Sequence, residues 1–401
     1  MTRSTRTVPV DVSVSARPEP ARERTRPLRV LHLLKHARRG NGSVHVAVDL
    51  ACAQADAGMD VRFASGPGSY DELLAAHGVD VIELEEPSGV PGLIRGAGRV
   101  GALVRRLDPD IVHAHMMSSA VAAWPVSKAS STTLVTTMHN SFDRHSWMMR
   151  AGSRVVAVSE AEARLLRSRG YPAKKLRVVL NGAVGSAREV LTDMTVPDLQ
   201  LPAVATLSGL HPRKGIDDVI AAFELLAQDF PEWHLNVIGW GPAQADLEAQ
   251  VAEAGLTEAV HFLGPTMTPW RQLAQAQIFV TASLAEPFGL NVAEARAAGC
   301  AVVATDVGGI PEVLDGGEAG QLVPARDPRA LADALRPLMA DPAELRRWRA
   351  RALAGSERFS VAEAERGYAA VYLEAMPRRR RRRVGAGTRD RSAEARERTG
   401  A

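Results

Sequence analysis

Two glutamates in one short segment are the residues of this chain best suited to chemistry. Glu286 and Glu294 lie in the sequence EPFGLNVAE, between an apolar run at 278–282 and helical spacing at 288–298. This pattern predicts Glu286 in a loop and Glu294 about two turns along a helix. A rise of about 1.5 Å per residue separates the carboxylates by about 10 Å, whereas a retaining glycosidase needs about 5 Å. The pair suits a long ligand held at two points.

The start of that predicted helix offers a seat for a phosphate group. The first N–H groups of a helix have no partner within it and lie at the positive end of the helix dipole. Here they lie around Gly289 and Leu290, with Phe288 beside them. A phosphate bound there would lie between the two carboxylates.

Two further loops follow predicted strands at the same edge. The sequence SGLHPRKG at 208–215 places Arg213 and Lys214 just before a predicted helix, where charge and amide dipoles can neutralise a diphosphate. A capping loop with incidental cations is the alternative. In the first half of the chain, Gly40 and Gly42 occupy the equivalent place and allow close backbone approach to a ligand, or form a simple turn.

Three histidines end neighbouring predicted strands. His113 and His115 point the same way along a strand, but their spacing is not that of a helical zinc site. With no third ligand nearby in the sequence, we predict no bound metal. His115 is predicted to hydrogen-bond a substrate hydroxyl, and His139 ends the next strand in a comparable place. The alternative for both is a satisfied structural histidine.

Two motifs are rejected as functional sites. GAGRVG at 96–101 matches a dinucleotide-binding pattern, but it lies in a helical stretch, follows no strand and has Val121 where an acid is needed. Asp108 and Asp110 resemble a metal-binding pair, but they precede the strand at 111–114, opposite the predicted cleft. We interpret them as a turn.

The elements that must position these residues alternate along the chain. Strand-like runs separated by helical stretches predict parallel sheets with helices on both faces. The alternation restarts after residue 201, which predicts two Rossmann-like α/β domains facing across a ligand cleft. We place a first domain at 27–190, a second at 191–358 and a final helix at 359–376. The runs that predict strands are 28–34, 61–64, 79–84, 111–114, 133–138, 155–158, 178–180, 203–207, 235–238, 260–263, 278–282 and 302–304.

The basic charge of the chain lies in its ends. The net charge is +3 over 401 residues, but residues 1–26 and 377–401 are arginine-rich, and we predict both to be disordered. Arg378 to Arg383 form a run that is either a solvated tail or a contact for an anionic membrane, with nucleic acid disfavoured. Two isolated cysteines, no apolar run long enough to span a bilayer and no signal sequence predict a cytoplasmic protein.

With these residues in place, the chain resembles the nucleotide-sugar-dependent glycosyltransferases of the GT-B fold, specifically the retaining enzymes of glycosyltransferase family 4. The resemblance covers about residues 28–376, and EPFGLNVAE is its most specific element. The supporting segments, in family order, are the glycine loop at Gly40, DIVHAH at 110–115, VAVSE at 156–160, LNG at 180–182, HPRKG at 211–215, IGWGP at 238–242, FLG at 262–264 and GGIPE at 308–312.

The resemblance implies a role for each candidate residue. Glu286 would contact the donor hexose and Glu294 the ribose, while Lys214, Arg213 and the amides around Gly289 and Leu290 hold the diphosphate. The remaining assignments are His115 facing the transferred sugar, Gly40 and Gly42 at the donor phosphate or acceptor, the loops at Gly239 and Gly264 at the base, and the last helix crossing back onto the first domain.

The chain departs from the family pattern at two positions. Gly209 stands where members usually carry an arginine that neutralises the diphosphate, and Val184 stands where they usually have an acid. The implied activity is metal-independent hexosyl transfer from a nucleoside-diphosphate sugar to a hydroxyl acceptor. The alternatives are an epimerase or pyridoxal-phosphate-dependent phosphorylase of the same fold, and a catalytically silent carbohydrate- or nucleotide-binding protein.

Overall fold

Two parallel β-sheets form the framework of the protein. The computed structural model describes residues 26–84, 89–190 and 197–384. The strands of the first sheet are β1 Arg29–Ala37, β2 Asp60–Gly68, β3 Asp80–Glu83, β4 Ile111–Ala114, β5 Thr133–Met138, β6 Arg154–Ala157 and β7 Leu176–Val178. Those of the second are β8 Ala203–Leu207, β9 His234–Ile238, β10 Val260–Gly264, β11 Ile278–Thr281, β12 Ala301–Thr305 and β13 Gln321–Val323.

Both sheets have a topological switch point at their first strand. The first has the order β3-β2-β1-β4-β5-β6-β7 and the second β10-β9-β8-β11-β12-β13, and every pair is parallel. Ligands of such sheets bind outside the carboxyl ends of the strands near that point. β4, β5, β11 and β12 are buried along their whole length, as expected of central strands covered on both faces.

Helices alternate with the strands along the chain. The first half contains α1 Gly42–Asp56, α2 Asp71–Ala76, α3 Gly89–Leu107, α4 Met117–Ala129 and α5 Glu160–Ser168. The second half contains α6 Ile216–Ala227, α7 Gln244–Glu253, α8 Pro269–Gln275, α9 Leu290–Ala297, α10 Ile310–Val313, α11 Pro328–Ala340, α12 Pro342–Leu353, α13 Val361–Ala375 and α14 Arg378–Arg381. Short 3₁₀ segments lie at Arg144–Ala151, Ala173–Lys175, Ala187–Val190, Pro212–Lys214, Asp315–Gly317 and Ser356–Phe359.

The predicted fold, two Rossmann-like domains, is confirmed. Strands β4, β5 and β8 have the predicted limits, and the others differ by a few residues at their ends. The sequence missed β13, which is three residues long with only Val323 fully buried. The rejected motif at 96–101 lies inside α3, as predicted. The predicted start of α9 at residue 288 was wrong. The helix begins at Leu290, so Glu294 lies little more than one turn along it.

The crossing of the last helix onto the first domain is also confirmed. Tyr368 and Tyr372 of α13 are fully buried among Leu28 and Val30 at the start of the first sheet. The chain enters α13 beside the interdomain linker, where the backbone N–H of Val361 donates to the carbonyl of Val184 at 2.9 Å. A backbone bridge therefore forms at the position where the family usually has an acid.

The start and end of the described chain are joined at the opposite end of the first sheet. Asp110 is fully buried and accepts bidentate hydrogen bonds from Arg26 at 2.6 and 2.7 Å, and one from Arg380 of α14 at 3.0 Å. Residues 377–384 are thus folded onto the protein, and the prediction of disorder is wrong for them. Residues 1–25 and 385–401 lie outside the described residues. No helix of the described ranges is long and apolar enough to cross a membrane.

Candidate active site

The predicted cleft is present between the two sheets. It has a volume of about 530 Å³ and is lined by the β1–α1 loop, the interdomain linker and the loops that follow β8, β9 and β11. Ten of the twelve predicted site residues line it. They are Gly40, Gly42, Arg213, Lys214, Gly239, Glu286, Phe288, Gly289, Leu290 and Glu294.

A lysine and a glutamate from separate loops meet at the centre of the cleft. The Nζ atom of Lys214 donates to Oε2 of Glu286 at 2.5 Å, and both side chains are mostly buried. Lys214 ends the loop after β8 because Gly215 there adopts φ 64°, and an added Cβ would lie 2.1 Å from the carbonyl oxygen of Ala282. The two loops are therefore packed backbone to backbone. This contact brings a cation and a carboxylate together in the wall of the cleft.

The N-terminus of α9 faces the same space. Gly289 is its N-cap, with φ 105°, a conformation that L side chains rarely adopt. Its first N–H groups have no acceptor within the helix. Gly308 packs directly against the backbone of the loop that holds Glu286, since an added Cβ would lie 1.8 Å from the carbonyl oxygen of Glu286. Glu286 and the first amides of α9 thus line one continuous surface of the cleft.

Glu294 faces an ion pair that sequence reasoning missed. Arg188 in the linker pairs with Asp49 of α1 at 3.0 Å, and both side chains are almost completely buried. Burial raises the pKa of Glu294 to about 7, an effect that Arg188 opposes and Asp49 increases. The acid of the second domain therefore lies against a neutralised pair of the first. Arg188 lies outside every strand-like or helical pattern of the sequence, so only its charge could have marked it as a candidate site residue.

Two of the predicted residues do not line the cleft. The carbonyl of Gly264 accepts from the N–H of Gly239 at 2.8 Å and supports that glycine instead, while Pro265 and Thr266 line the cleft after it. His115 is 3% exposed and lines the second cavity described below, not the cleft. His139 lines both spaces.

The histidines form a buried hydrogen-bonded group. Nδ1 of His115 lies 3.1 Å from Nε2 of His139, and its Nε2 lies 2.9 Å from Nδ1 of His32. Burial lowers the pKa of His32 and of His139 to about 4, and it lowers the pKa of His115 and of His113 well below the ordinary value. At neutral pH these rings are uncharged.

The sequence argument against a metal needs correction. It rested on the lack of a third ligand, but β1 brings His32 beside His113 and His115, with their nitrogens within 4.8 Å of one another. Every ring nitrogen of the three has a hydrogen-bond partner, however: those of His32 and His115 described above, Gln54, and Thr137 and Tyr372 for His113. The ring nitrogens that could bind a metal are therefore already engaged in hydrogen bonds within the protein.

A second cavity of about 520 Å³ adjoins the cleft within the first domain. His139, Asn140, Asn41 and Ser43 line both spaces. The remaining wall combines Lys35 and His36 with a group of apolar side chains that includes Met116, Met117, Met138, Met148 and Met149. The two cavities can therefore hold two ligands on either side of a shared wall.

Comparisons with known proteins agree with this geometry. The model of the family described as Glycosyltransferase Family 4 matches residues 40–183, and that described as Glycosyl transferases group 1 matches residues 196–354. A D-inositol 3-phosphate glycosyltransferase of Xylanimonas cellulosilytica is 30% identical over 309 residues, which are 67% of this chain and 73% of that protein. The chain belongs to glycosyltransferase family 4.

Other relatives of this family-4 chain are longer or more distant. An exopolysaccharide phosphotransferase of Streptomyces coelicolor is 32% identical over 227 residues, 56% of this chain. The chain spans about a quarter of that relative, 24% of its length. HepE of Anabaena, solved in complex with UDP-glucose, superposes with a TM-score of 0.72 at 22% identity, over 86% of this chain and 99% of HepE. That likeness shows the GT-B fold.

Family membership accounts for the loops of Lys214 and Glu286 that meet in the cleft. The role of each site residue stays a prediction. The two residues that differ from the family pattern, Gly209 and Val184, lie respectively in the cleft and at the linker bridge. His211 and Trp240 also line the cleft beside Gly209, and sequence reasoning assigned neither of them a role.

Proposed function

We propose that this protein is a retaining glycosyltransferase that moves a hexosyl unit from a UDP- or GDP-linked sugar to a hydroxyl acceptor. The contact that carries the proposal is the Lys214–Glu286 pair, 2.5 Å apart, beside the N-terminus of α9. Lys214 and the α9 amides stabilise the charge that builds on the departing diphosphate, and Glu286 binds the hexose hydroxyls. Glu294 binds the ribose.

This arrangement supports transfer without a metal ion. Cationic side chains and helix amides supply the positive charge that a metal provides in other sites. The described cleft offers no carboxylate placed as an obvious nucleophile at the sugar carbon, so we propose front-face attack, with the leaving phosphate taking the acceptor proton. Closure of the two domains would exclude water and limit hydrolysis of the donor.

The second cavity is the proposed acceptor site, because it shares a wall with the donor cleft. Lys35 suits an anionic group, and the methionine-rich wall suits apolar surface. We propose an acceptor that combines both, in the class of glycans, lipid-linked sugars or small glycoconjugates. The D-inositol 3-phosphate in the name of one relative carries an anionic group of the kind that Lys35 suits.

The arginine-rich end supports a cytoplasmic location with contact at an anionic leaflet. All six residues from Arg378 to Arg383 are basic, and all except Arg380 are highly exposed. Sedimentation with vesicles of anionic and of neutral lipid tests this contact. Binding only to anionic vesicles that is lost when the five exposed arginines become glutamine supports it, and equal binding by that variant contradicts it.

Incubation with a panel of UDP-, GDP- and ADP-sugars, followed by measurement of nucleotide release, tests the function. The protein should act on at least one donor, and Lys214→Ala and Glu286→Ala should each lower kcat/KM about a hundredfold. Arg336→Ala, which removes an exposed ion pair with Asp229 in the same domain, is the control and should be unaffected. Turnover of no activated sugar would instead favour the silent binding protein that the missing arginine at Gly209 suggests.

A further inference from the structure

A chain of hydrogen bonds runs through the first domain from α1 to the cleft. The carbonyl oxygen Oε1 of the buried Gln54 lies 2.9 Å from Nε2 of His32. Nδ1 of His32 lies 2.9 Å from Nε2 of His115, and Nδ1 of His115 lies 3.1 Å from Nε2 of His139. Four side chains from four separate segments are thus linked end to end.

Each ring in this chain relays the donor-to-acceptor direction that the Gln54 amide sets. Burial keeps His32, His115 and His139 uncharged at neutral pH, so each has one N–H and one nitrogen lone pair. A ring that donates through one nitrogen must therefore accept through the other. With the carbonyl of Gln54 facing His32, all three rings donate from Nε2, and Nδ1 of His139 is left as an acceptor. With the amide reversed, it becomes a donor.

Tyr372 of the crossover helix α13 contacts the nitrogen end of the Gln54 amide. Nε2 of Gln54 donates to the hydroxyl of Tyr372 at 3.2 Å, and the oxygen of that hydroxyl lies 2.7 Å from Nδ1 of His113. A branch continues from Nε2 of His113 to Thr137 at 2.7 Å and from Thr137 to Tyr368 at 3.1 Å. Tyr372 contacts the amide directly, whereas Tyr368 is separated from it by Thr137, His113 and Tyr372.

The cleft end of the chain lacks a partner. Nδ1 of His139 is buried and makes no hydrogen bond with the residues the structure describes, and His139 lies in the wall shared by the cleft and the second cavity. Leaving a buried polar atom unpaired is unfavourable, so such an atom in the wall of a cavity calls for an explanation. A hydroxyl group can donate the missing hydrogen bond to such an acceptor nitrogen, and sugars are rich in hydroxyl groups.

We propose that Gln54 and Tyr372 are positioning residues that hold His139 as the Nε2–H tautomer, whose Nδ1 accepts a hydrogen bond from a hydroxyl of the bound sugar. The sugar as ligand rests on the function proposed above. The tautomer does not: it rests on contacts within the protein alone, with the amide oxygen of Gln54 on the side of His32.

NMR of protein labelled with ¹⁵N-histidine tests the tautomer, since two-bond couplings distinguish Nε2–H from Nδ1–H rings. The signals of His139 are assigned from a His139→Gln sample. We expect wild-type His139 to be a single Nε2–H tautomer, and Gln54→Met and Tyr372→Phe to give mixed tautomers. Tyr368→Phe is the matched control: it removes an equally buried hydroxyl from the same helix and should leave His139 unchanged.

Kinetics separate positioning from a structural role. Gln54→Met and Tyr372→Phe should lower kcat about tenfold, with Tyr368→Phe within twofold of wild type. A purely structural role would lower the melting temperature of both tyrosine variants alike and leave the tautomer of His139 unchanged. A mixed or Nδ1–H tautomer in the wild type, no response in either variant, or equal responses in the two tyrosine variants would overturn the proposal. Altered tautomers in a protein that turns over no activated sugar would refute only the proposed function.

Discussion

Gly209 lies where family members usually carry an arginine, in the loop that also holds Lys214. A Cβ added at Gly209 would lie 3.3 Å from Cδ2 of His211 and 3.9 Å from the carbonyl oxygen of Trp240. The nearest atom belongs to an exposed ring that can move, so the position accepts a side chain. Arg213, the other cation of the loop, donates to the carbonyl of Ala285 at 2.8 Å. Lys214 is itself paired with Glu286, so an arginine at position 209 would add an unpaired positive charge to this loop.

We expect Gly209→Arg to lower the KM for the donor about tenfold, because a hydrogen bond to a charged group contributes about 1.5–3 kcal/mol. Gly209→Met is the control, since it adds a long side chain without charge. Initial rates at varied donor concentration measure the effect. Equal changes in KM for the two variants would show that the added charge contributes nothing.

Glu294 illustrates the cost of burying a binding group. Its pKa is raised to about 7 in the folded protein and is about 4.3 in an unfolded chain. Above pH 7 both states are ionised and the folded state bears the cost of burial; below about pH 4 both are protonated and the cost disappears. The ionised carboxylate therefore destabilises the fold above about pH 7.

Glu294→Gln should accordingly stabilise the protein at pH 8 by about 1 kcal/mol or more and have no such effect near pH 4. Urea unfolding at both pH values measures the difference, and donor turnover should fall. Glu363→Gln, an exposed residue of α13 paired with Arg366, provides the control. A gain that is the same at both pH values would contradict the assigned pKa shift.

At the scale of elements, the loop before α9 depends on the loop after β12. Gly308 and Gly309 lie directly against the backbone of the Glu286 loop, and the N–H of Gly309 donates to the carbonyl of Glu286 at 2.8 Å. Ser159, the N-cap of α5, donates to the carbonyl of Pro287 at 2.5 Å from the other domain. The position of Glu286 is thus set by two segments besides its own, the loop after β12 and the start of α5.

We expect Gly308→Ala to lower donor turnover at least tenfold, because its Cβ would lie 1.8 Å from the carbonyl oxygen of Glu286 and displace the loop. Gly316→Ala is a matched control. Gly316 also has a positive φ, 67° against 56° for Gly308, but an added Cβ meets no described atom within 4 Å. Steady-state kinetics and thermal unfolding of both variants measure the effect. Equal losses of activity would show that backbone strain, not displacement of Glu286, is responsible.

At the scale of the whole molecule, the two ends of the described chain are held by one buried acid. Burial raises the pKa of Asp110, but hydrogen bonds from Arg26 and from the N–H of Arg29 lower it by more, so the net pKa lies below its ordinary value. Arg380 adds a bond to Asp110 and an ion pair with Asp108. The arginine run is therefore partly structural, whatever else it contacts.

Truncation after Val384 should leave stability and activity unchanged, whereas truncation before Pro377 should cost about 1–3 kcal/mol, because it leaves buried Asp110 with fewer partners. Urea unfolding of both truncated chains measures the cost. Arg380→Gln in the full chain should reproduce most of the loss, and Arg379→Gln, an exposed neighbour, should not. Identical unfolding midpoints for the two truncations would contradict a structural role for this end.

The sequence by itself determined the fold class, the cleft and its central loops. Strand and helix periodicity, glycines at sharp turns and cations before a helix are local signals, and local backbone preferences decide them. Lys214, Glu286 and Gly289 could therefore be named and joined to one sheet edge before any contact was known. The limits of α9 and the short strand β13 were missed because tertiary packing, more than propensity, sets the ends of elements.

Only the tertiary structure decided which side chains surround that centre. Arg188 reaches Asp49 across 139 positions, His32 reaches His115 across 83, and Arg380 reaches Asp110 across 270. No periodicity links residues so far apart. Buried polar groups must find partners wherever the fold brings them, and that requirement paired the linker with α1, joined the histidines into a chain and folded back residues predicted to be disordered.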